Sequence, residues 1–197
     1  MLVVFVNLFK ISLKGRAEMK RCSWVDLSCP DYVLYHDKEW GKPVYDDRLL
    51  FEMFVLETFQ AGLSWQTVLL KRLAFKEAFD NFDVQKVSKY NDEKINNLMN
   101  NAQIIRHKLK IKAAISNANV FIQIQKKWGS FSNYLWHWTA GQVTKGNGTL
   151  TKNDLSDKIS MDLKKQGMKF VGSIIIYSYL QAVGVINDHE QDCFLRK

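Results

Sequence analysis

Apolar positions along this chain recur with helical rather than strand spacing. Over residues 46–61, Leu49, Leu50, Met53, Phe54 and Ala61 fall at helical intervals, and Asp46 or Asp47 stands where an N-cap belongs. Similar spacing predicts helices over 64–79, around 94–98, over 106–125 and over 154–165, the last ending at Gly167. Residues 173–183 are apolar nearly all round, as in a buried helix. The stretch 139–153 is rich in Gly, Thr, Asn and Lys and reads as a loop. No segment alternates as a strand does, and none repeats. The expectation is an all-α fold.

Two features depart from plain amphipathicity. Glu57 follows Met53 by four residues and Leu50 by seven, so it projects from the apolar stripe, whereas Glu52 projects away from it. A carboxylate on a buried face is costly unless it is paired or used. Helical phase alone leaves open whether Glu57 reaches water at the stripe's edge. The second feature is Gly167-Met-Lys-Phe-Val-Gly172 between two helical stretches, a helix-hairpin-helix over about 158–184 or a plain αα-corner. A hairpin of the first kind presents backbone N–H groups near Gly172, and Lys169, to a phosphate.

The chain has 197 residues, ample for a core, and its 47% apolar content with only two prolines argues against disorder. Residues 1–18 are apolar and then basic, too short to span a membrane and without a charged leading region. They read as an extension or an upstream start, dispensable to a helical domain over 19–197. The net charge of +8 is unevenly spread: no Asp or Glu occurs from Lys94 to Asn153, which carries nine Lys and Arg residues. Such a face suits a polyanion such as nucleic acid, although a solvated lysine-rich surface has the same composition.

Three cysteines make no disulfide framework and point to a reducing, cytoplasmic setting. Cys29 reads as a packed or loop thiol. The other two accompany histidines: Cys22 with His36 near the start, and His189-x-x-x-Cys193 near the end. Either pair alone equals a buried cysteine near a core histidine. Together, two thiols and two imidazoles are the donor set of a closed tetrahedral zinc site, here clasping the first and last segments. Trp24, Tyr32, Tyr35, Trp40 and Trp65 cluster near the front pair and Glu57. Rings with polar edges around a carboxylate suit a flat, cationic, hydrogen-bonding guest.

These residues resemble the DNA-3-methyladenine glycosylase I family. The matching blocks are Arg21-Cys-Ser-Trp24, Tyr35-His-Asp-Lys-Glu-Trp-Gly41, Phe51-Glu-Met53, Leu56-Glu57 and Gln60-Ala-Gly-Leu-Ser-Trp65, followed by Ile104-Ile-Arg-His107, Lys169-Phe-Val-Gly172 and Val185-Ile-Asn-Asp-His189. They occur in family order across residues 20–193. The resemblance implies a helix-hairpin-helix glycosylase-like bundle that excises 3-methyladenine from alkylated double-stranded DNA as the free base, leaving an abasic site. It implies one structural zinc on Cys22, His36, His189 and Cys193. It gives Glu57 the base's amino edge, Tyr35 and Trp65 the stacking, and Tyr32 and Trp40 the remaining walls. No catalytic role is assigned to Asp188, and no lysine nucleophile, so base removal without strand cleavage is expected of a monomer.

Two other classes compete. A zinc nucleobase deaminase needs H-x-E and P-C-x-x-C, whereas His36-Asp-Lys-Glu39 is misspaced and Cys29-Pro30 is reversed. A non-enzymatic, zinc-stabilised DNA-binding protein is the stronger rival, separated only by a buried carboxylate within an aromatic cage.

Overall fold

The computed structural model describes residues 19–196, and the extension over 1–18 lies outside the described residues. Among the described residues ten α-helices run in order. They are α1 (Pro30–Lys38), α2 (Asp47–Gln60), α3 (Trp65–Leu69), α4 (Arg72–Ala78), α5 (Val84–Val87), α6 (Asp92–Asn100), α7 (Lys108–Trp128), α8 (Phe131–His137), α9 (Asp154–Lys165) and α10 (Ser173–Ala182). None of the described helices is long and apolar enough to cross a membrane.

Local chemistry starts several of these helices. Asp46 accepts from the Leu49 N–H at 2.9 Å, Asn91 from Lys94 at 2.9 Å and Ser130 from Asn133 at 2.9 Å. Asn153 and Ser156 cap each other reciprocally at the head of α9. Each such cap is worth roughly 1 kcal/mol. Pro30 opens α1 at a position whose N–H would have no helical partner.

Helix α2 is central. It packs against α3, α7, α8 and α10, and every residue from Leu50 to Phe59 is buried. Burial on all sides corrects the single-stripe reading: Leu49 is exposed, whereas Glu52, expected to point away from the core, is buried. Arg72 makes that tolerable, donating from Nε to Glu52 at 2.6 Å and from Nη1 to Glu39 at 2.6 Å. The predicted 64–79 helix is divided at Leu70–Lys71 into α3 and α4, and Arg72 opens α4.

Residues 166–172 join α9 to α10. Gly167, at φ +99°, takes the left-handed backbone that ends α9. Ser160 Oγ donates to the Val171 carbonyl at 2.6 Å, and Ser173 Oγ donates to the Asp157 carboxylate. Asn117 of α7 holds both main-chain groups of Lys169, accepting its N–H at 2.7 Å and donating to its carbonyl at 2.9 Å. The Lys169 amide is therefore not among those a phosphate could take, although its side chain is exposed. Helix α10 begins at Gly172 with no side-chain cap.

Helices α1, α5 and α8 went unpredicted, and so did a pair of short strands. Strand β1 (Thr144–Lys145), in the expected loop, pairs in parallel with β2 (Ile186–Asn187). Two residues per strand are too few to show alternation in sequence. The bridge nonetheless zips the 144–151 segment to the chain that leads into His189.

Candidate active site

Tyr32, Tyr35 and His36 lie at i, i+3 and i+4 on α1, so one helix face delivers all three inward. Glu57 comes from the last turns of α2, and Trp65 begins α3 behind a Ser64 cap. These elements converge on a cavity of about 320 Å³, whose lining includes Trp24, Tyr32, Tyr35, Trp40, Glu57 and Trp65. Gly148–Thr151, Ser178, Gln181 and Asp188 complete much of the remaining lining. Trp65 lies 5.3 Å from Tyr35 between ring centroids, and Trp24 lies 4.9 Å from Trp40.

Glu57 is 3% exposed, and its Oε2 has no hydrogen-bond partner. Burial pushes its carboxyl up to about 8, with no cation nearby to oppose the shift. The Trp65 Nε1–H is likewise buried and without a partner. An unpaired acceptor and an unpaired donor in one aromatic cavity cost stability unless a guest completes them. Burial also raises the Tyr35 hydroxyl well above its ordinary range, with the nearby Glu57 adding to the effect.

Behind the aromatic wall, the donor atoms of Cys22, His36 and Cys193 lie within 4.8 Å of one another. His189 stands beside them, its ring centroid 5.2 Å from that of His36, and its Nε2 is buried without a partner. Three predicted ligands thus form one tight cluster and the fourth adjoins it. Both imidazoles are oriented from outside: His36 Nδ1 meets Asp37 at 2.8 Å and His189 Nδ1 meets Asn187 at 2.8 Å. Anchoring each Nδ1 leaves Nε2 as the nitrogen for an ion, the usual arrangement around metal-bound histidine; His36 Nε2 already lies 3.5 Å from Cys193 Sγ. Burial pushes the Cys22 thiol up to about 12 and His189 down to about 4. A cation among them would reverse the first cost and use the neutral imidazole of the second. Trp40 joins the two centres, lying 4.6 Å from His189 while lining the cavity.

The five predicted base-contacting residues all face one cavity, whereas Lys169 and Gly172 lie apart from it on the hairpin. Sequence reasoning missed Ser178, Gln181 and the 148–151 segment as site residues. Beyond Ser173 at its first turn, Ser178 and Gln181 are polar positions three apart on a largely apolar α10, a signal that was available. The 148–151 wall had none, because only the parallel bridge brings it there.

A family model described as methyladenine glycosylase matches residues 24–196. The chain is 43% identical over 180 residues to DNA-3-methyladenine glycosylase 1 of Escherichia coli, covering 89% of this chain and 96% of that protein. It is 39% identical over 178 residues to the DNA-3-methyladenine glycosylase of Haemophilus influenzae, covering 88% and 96%. A crystal structure of 3-methyladenine DNA glycosylase I superposes with a TM-score of 0.86 at 42% identity, over 90% of this chain and all of that one. The Staphylococcus aureus enzyme, solved to explain 3-methyladenine recognition, gives 0.85 at 35% identity over 89% and 96%. With the match running from the first aromatic of the cavity to the last turn past Cys193, this chain belongs to the methyladenine glycosylase family.

Proposed function

We propose that this protein is a DNA-repair glycosylase that hydrolyses the N-glycosidic bond of 3-methyladenine in alkylated duplex DNA, releasing the free base and leaving an abasic site. The observation that carries the reading is Glu57, a buried carboxyl with an unpartnered oxygen, at the floor of a base-sized aromatic cavity. A purely DNA-binding protein has no use for a costly unpaired carboxyl in an aromatic-walled pocket.

Methylation at N3 places a positive charge on adenine in DNA. A flipped cationic base brings its own countercharge to Glu57 and supplies an amino donor to the orphaned oxygen. A neutral adenine supplies only the donor and must meet the cost of ionising the carboxyl. Tyr35 and Trp65 stack on the base, and Tyr32 and Trp40 close the walls. As the C1′–N9 bond breaks, its electron pair neutralises the departing base, so little protonation is required. Water adds to the oxocarbenium-like C1′ and loses a proton to solvent.

DNA contacts come from the hairpin: the uncapped first-turn N–H groups of α10 at Gly172, and the Lys169 ammonium. Cys22, His36, His189 and Cys193 hold one structural zinc that joins the two ends of the domain over 19–197. With four protein donors there is no open position for substrate, so the ion would supply stability rather than chemistry. The protein acts as a monomer in the cytoplasm. The test is release of free 3-methyladenine from alkylated duplex DNA, measured by chromatography. Binding of alkylated DNA with no base release would leave the non-enzymatic reading standing.

A further inference from the structure

Asp188 lines the cavity, is 3% exposed, and follows β2 immediately before His189. Its Oδ1 accepts from the Gly148 N–H at 2.6 Å. Its Oδ2 accepts from the Tyr177 hydroxyl at 2.9 Å and from Gln181 Nε2 at 2.7 Å. The donors come from two places: the 146–151 segment, and helix α10 across the cavity's edge.

We propose that Asp188 is a positioning residue, a buried carboxylate strap that fixes the 146–151 wall to α10 and so sets the width of the base cavity. The proposal rests on the glycosylase reading above. Of about four lone-pair sites on a carboxylate, three are taken by these donors. Besides Asp188, Arg196 Nη2 donates to the Gly146 carbonyl at 3.2 Å, and past Gly146 the contacts are internal, with Asn147 accepting from the Thr149 and Leu150 N–H groups. The bridge ends at Gly146, whose N–H donates to the Asn187 carbonyl at 2.9 Å. Beyond that point Asp188 is what ties Gly148 to the helix.

The local backbone is shaped to this contact. A Cβ on Gly146 would lie 1.9 Å from Asp188 Oδ1, so glycine alone lets the segment approach so closely. Gly148, at φ +78°, turns its N–H onto the carboxylate through a left-handed conformation. The wall that follows, Gly148–Thr151, lines the same cavity as Trp24, Trp40 and Trp65.

Asp188→Asn tests the strap, because an amide NH2 in place of one oxygen opposes a donor with a donor. Three readings are taken: affinity for free 3-methyladenine by tryptophan fluorescence, amide exchange over 148–151, and single-turnover excision at saturating alkylated DNA. A strap predicts base affinity weakened by about tenfold, in line with one lost charge-assisted bond. Exchange over 148–151 should quicken, and the saturated excision rate should fall by less than the affinity. Tyr177→Phe, which removes one donor and leaves the carboxylate, should move the same readings by about threefold. It serves alone if Asp188→Asn fails to fold. Unchanged base affinity and unchanged exchange with a collapsed excision rate would overturn the proposal and put Asp188 on the attacking water instead. A parent protein that releases no base would refute the glycosylase reading, while the exchange measurement would still decide the strap.

Discussion

Glu57 makes a double prediction, because the feature that fits it for recognition also destabilises the empty protein. Its carboxyl titrates at about 8 in the fold against an ordinary 4.5. Below pH 4.5 both folded and unfolded chains hold the proton, and the group has no effect on stability. As pH rises from 4.5 to 8 the unfolded chain loses its proton while the folded one keeps it, so stability falls by about 1.4 kcal/mol per unit. The loss reaches roughly 3 kcal/mol at pH 7 and about 5 kcal/mol above pH 8. Glu57→Gln has no proton to lose and escapes the penalty, but it leaves an amide in the dry cavity at a cost of roughly 1–3 kcal/mol. The variant should therefore be more stable than the parent by about 2–4 kcal/mol at pH 8, with the advantage gone at pH 4.5. Its excision should fall by about 10- to 100-fold, since a charge-assisted hydrogen bond worth roughly 1.5–3 kcal/mol is replaced by two facing donors. Urea unfolding at pH 4.5, 6, 7 and 8, beside single-turnover release of 3-methyladenine, reads both arms. A variant no more stable than the parent at pH 8, or one that excises at the native rate, would refute the reasoning.

If ionised Glu57 is the competent form, kcat/KM for alkylated DNA should rise about tenfold per pH unit up to about 8 and then level; a flat profile from pH 6 to 8 would contradict that. Cys193→Ser should lower zinc content and the melting temperature together, by mass spectrometry and calorimetry, while full occupancy with unchanged melting would remove the metal assignment. Lys169→Glu should weaken binding to damaged and undamaged duplexes alike and flatten the salt dependence, which a titration series in salt will show. Lys110→Met should destabilise the fold by roughly 2–3 kcal/mol in urea unfolding, because the Phe59 and Ala61 carbonyls at the end of α2 would lose the ammonium they accept from at 2.8 and 2.6 Å.

Much of the local structure was legible in the sequence, because it depends on neighbours along the chain. Asp46 caps α2, α9 spans the predicted 154–165, and the apolar 173–183 stretch forms α10, although only one face of it is buried and Ile174 is exposed, since caps and helical periodicity act within a few residues. The motif blocks also named Glu57, Tyr35, Trp40 and Trp65, which line one cavity together with Tyr32. Tertiary packing decided the rest. Glu52 is buried because α2 is enclosed on every side and Arg72 arrives from another helix, which helical phase cannot express. The break at Leu70–Lys71, next to Arg72, likewise interrupts a local pattern that reads as unbroken. The cluster of Cys22 and His36 with Cys193 joins residues more than 150 positions apart, and only the closed chain sets their spacing. The 148–151 wall and its bond to Asp188 exist because a two-residue parallel bridge brings the segment to α10, a contact made between distant stretches and written in neither one alone.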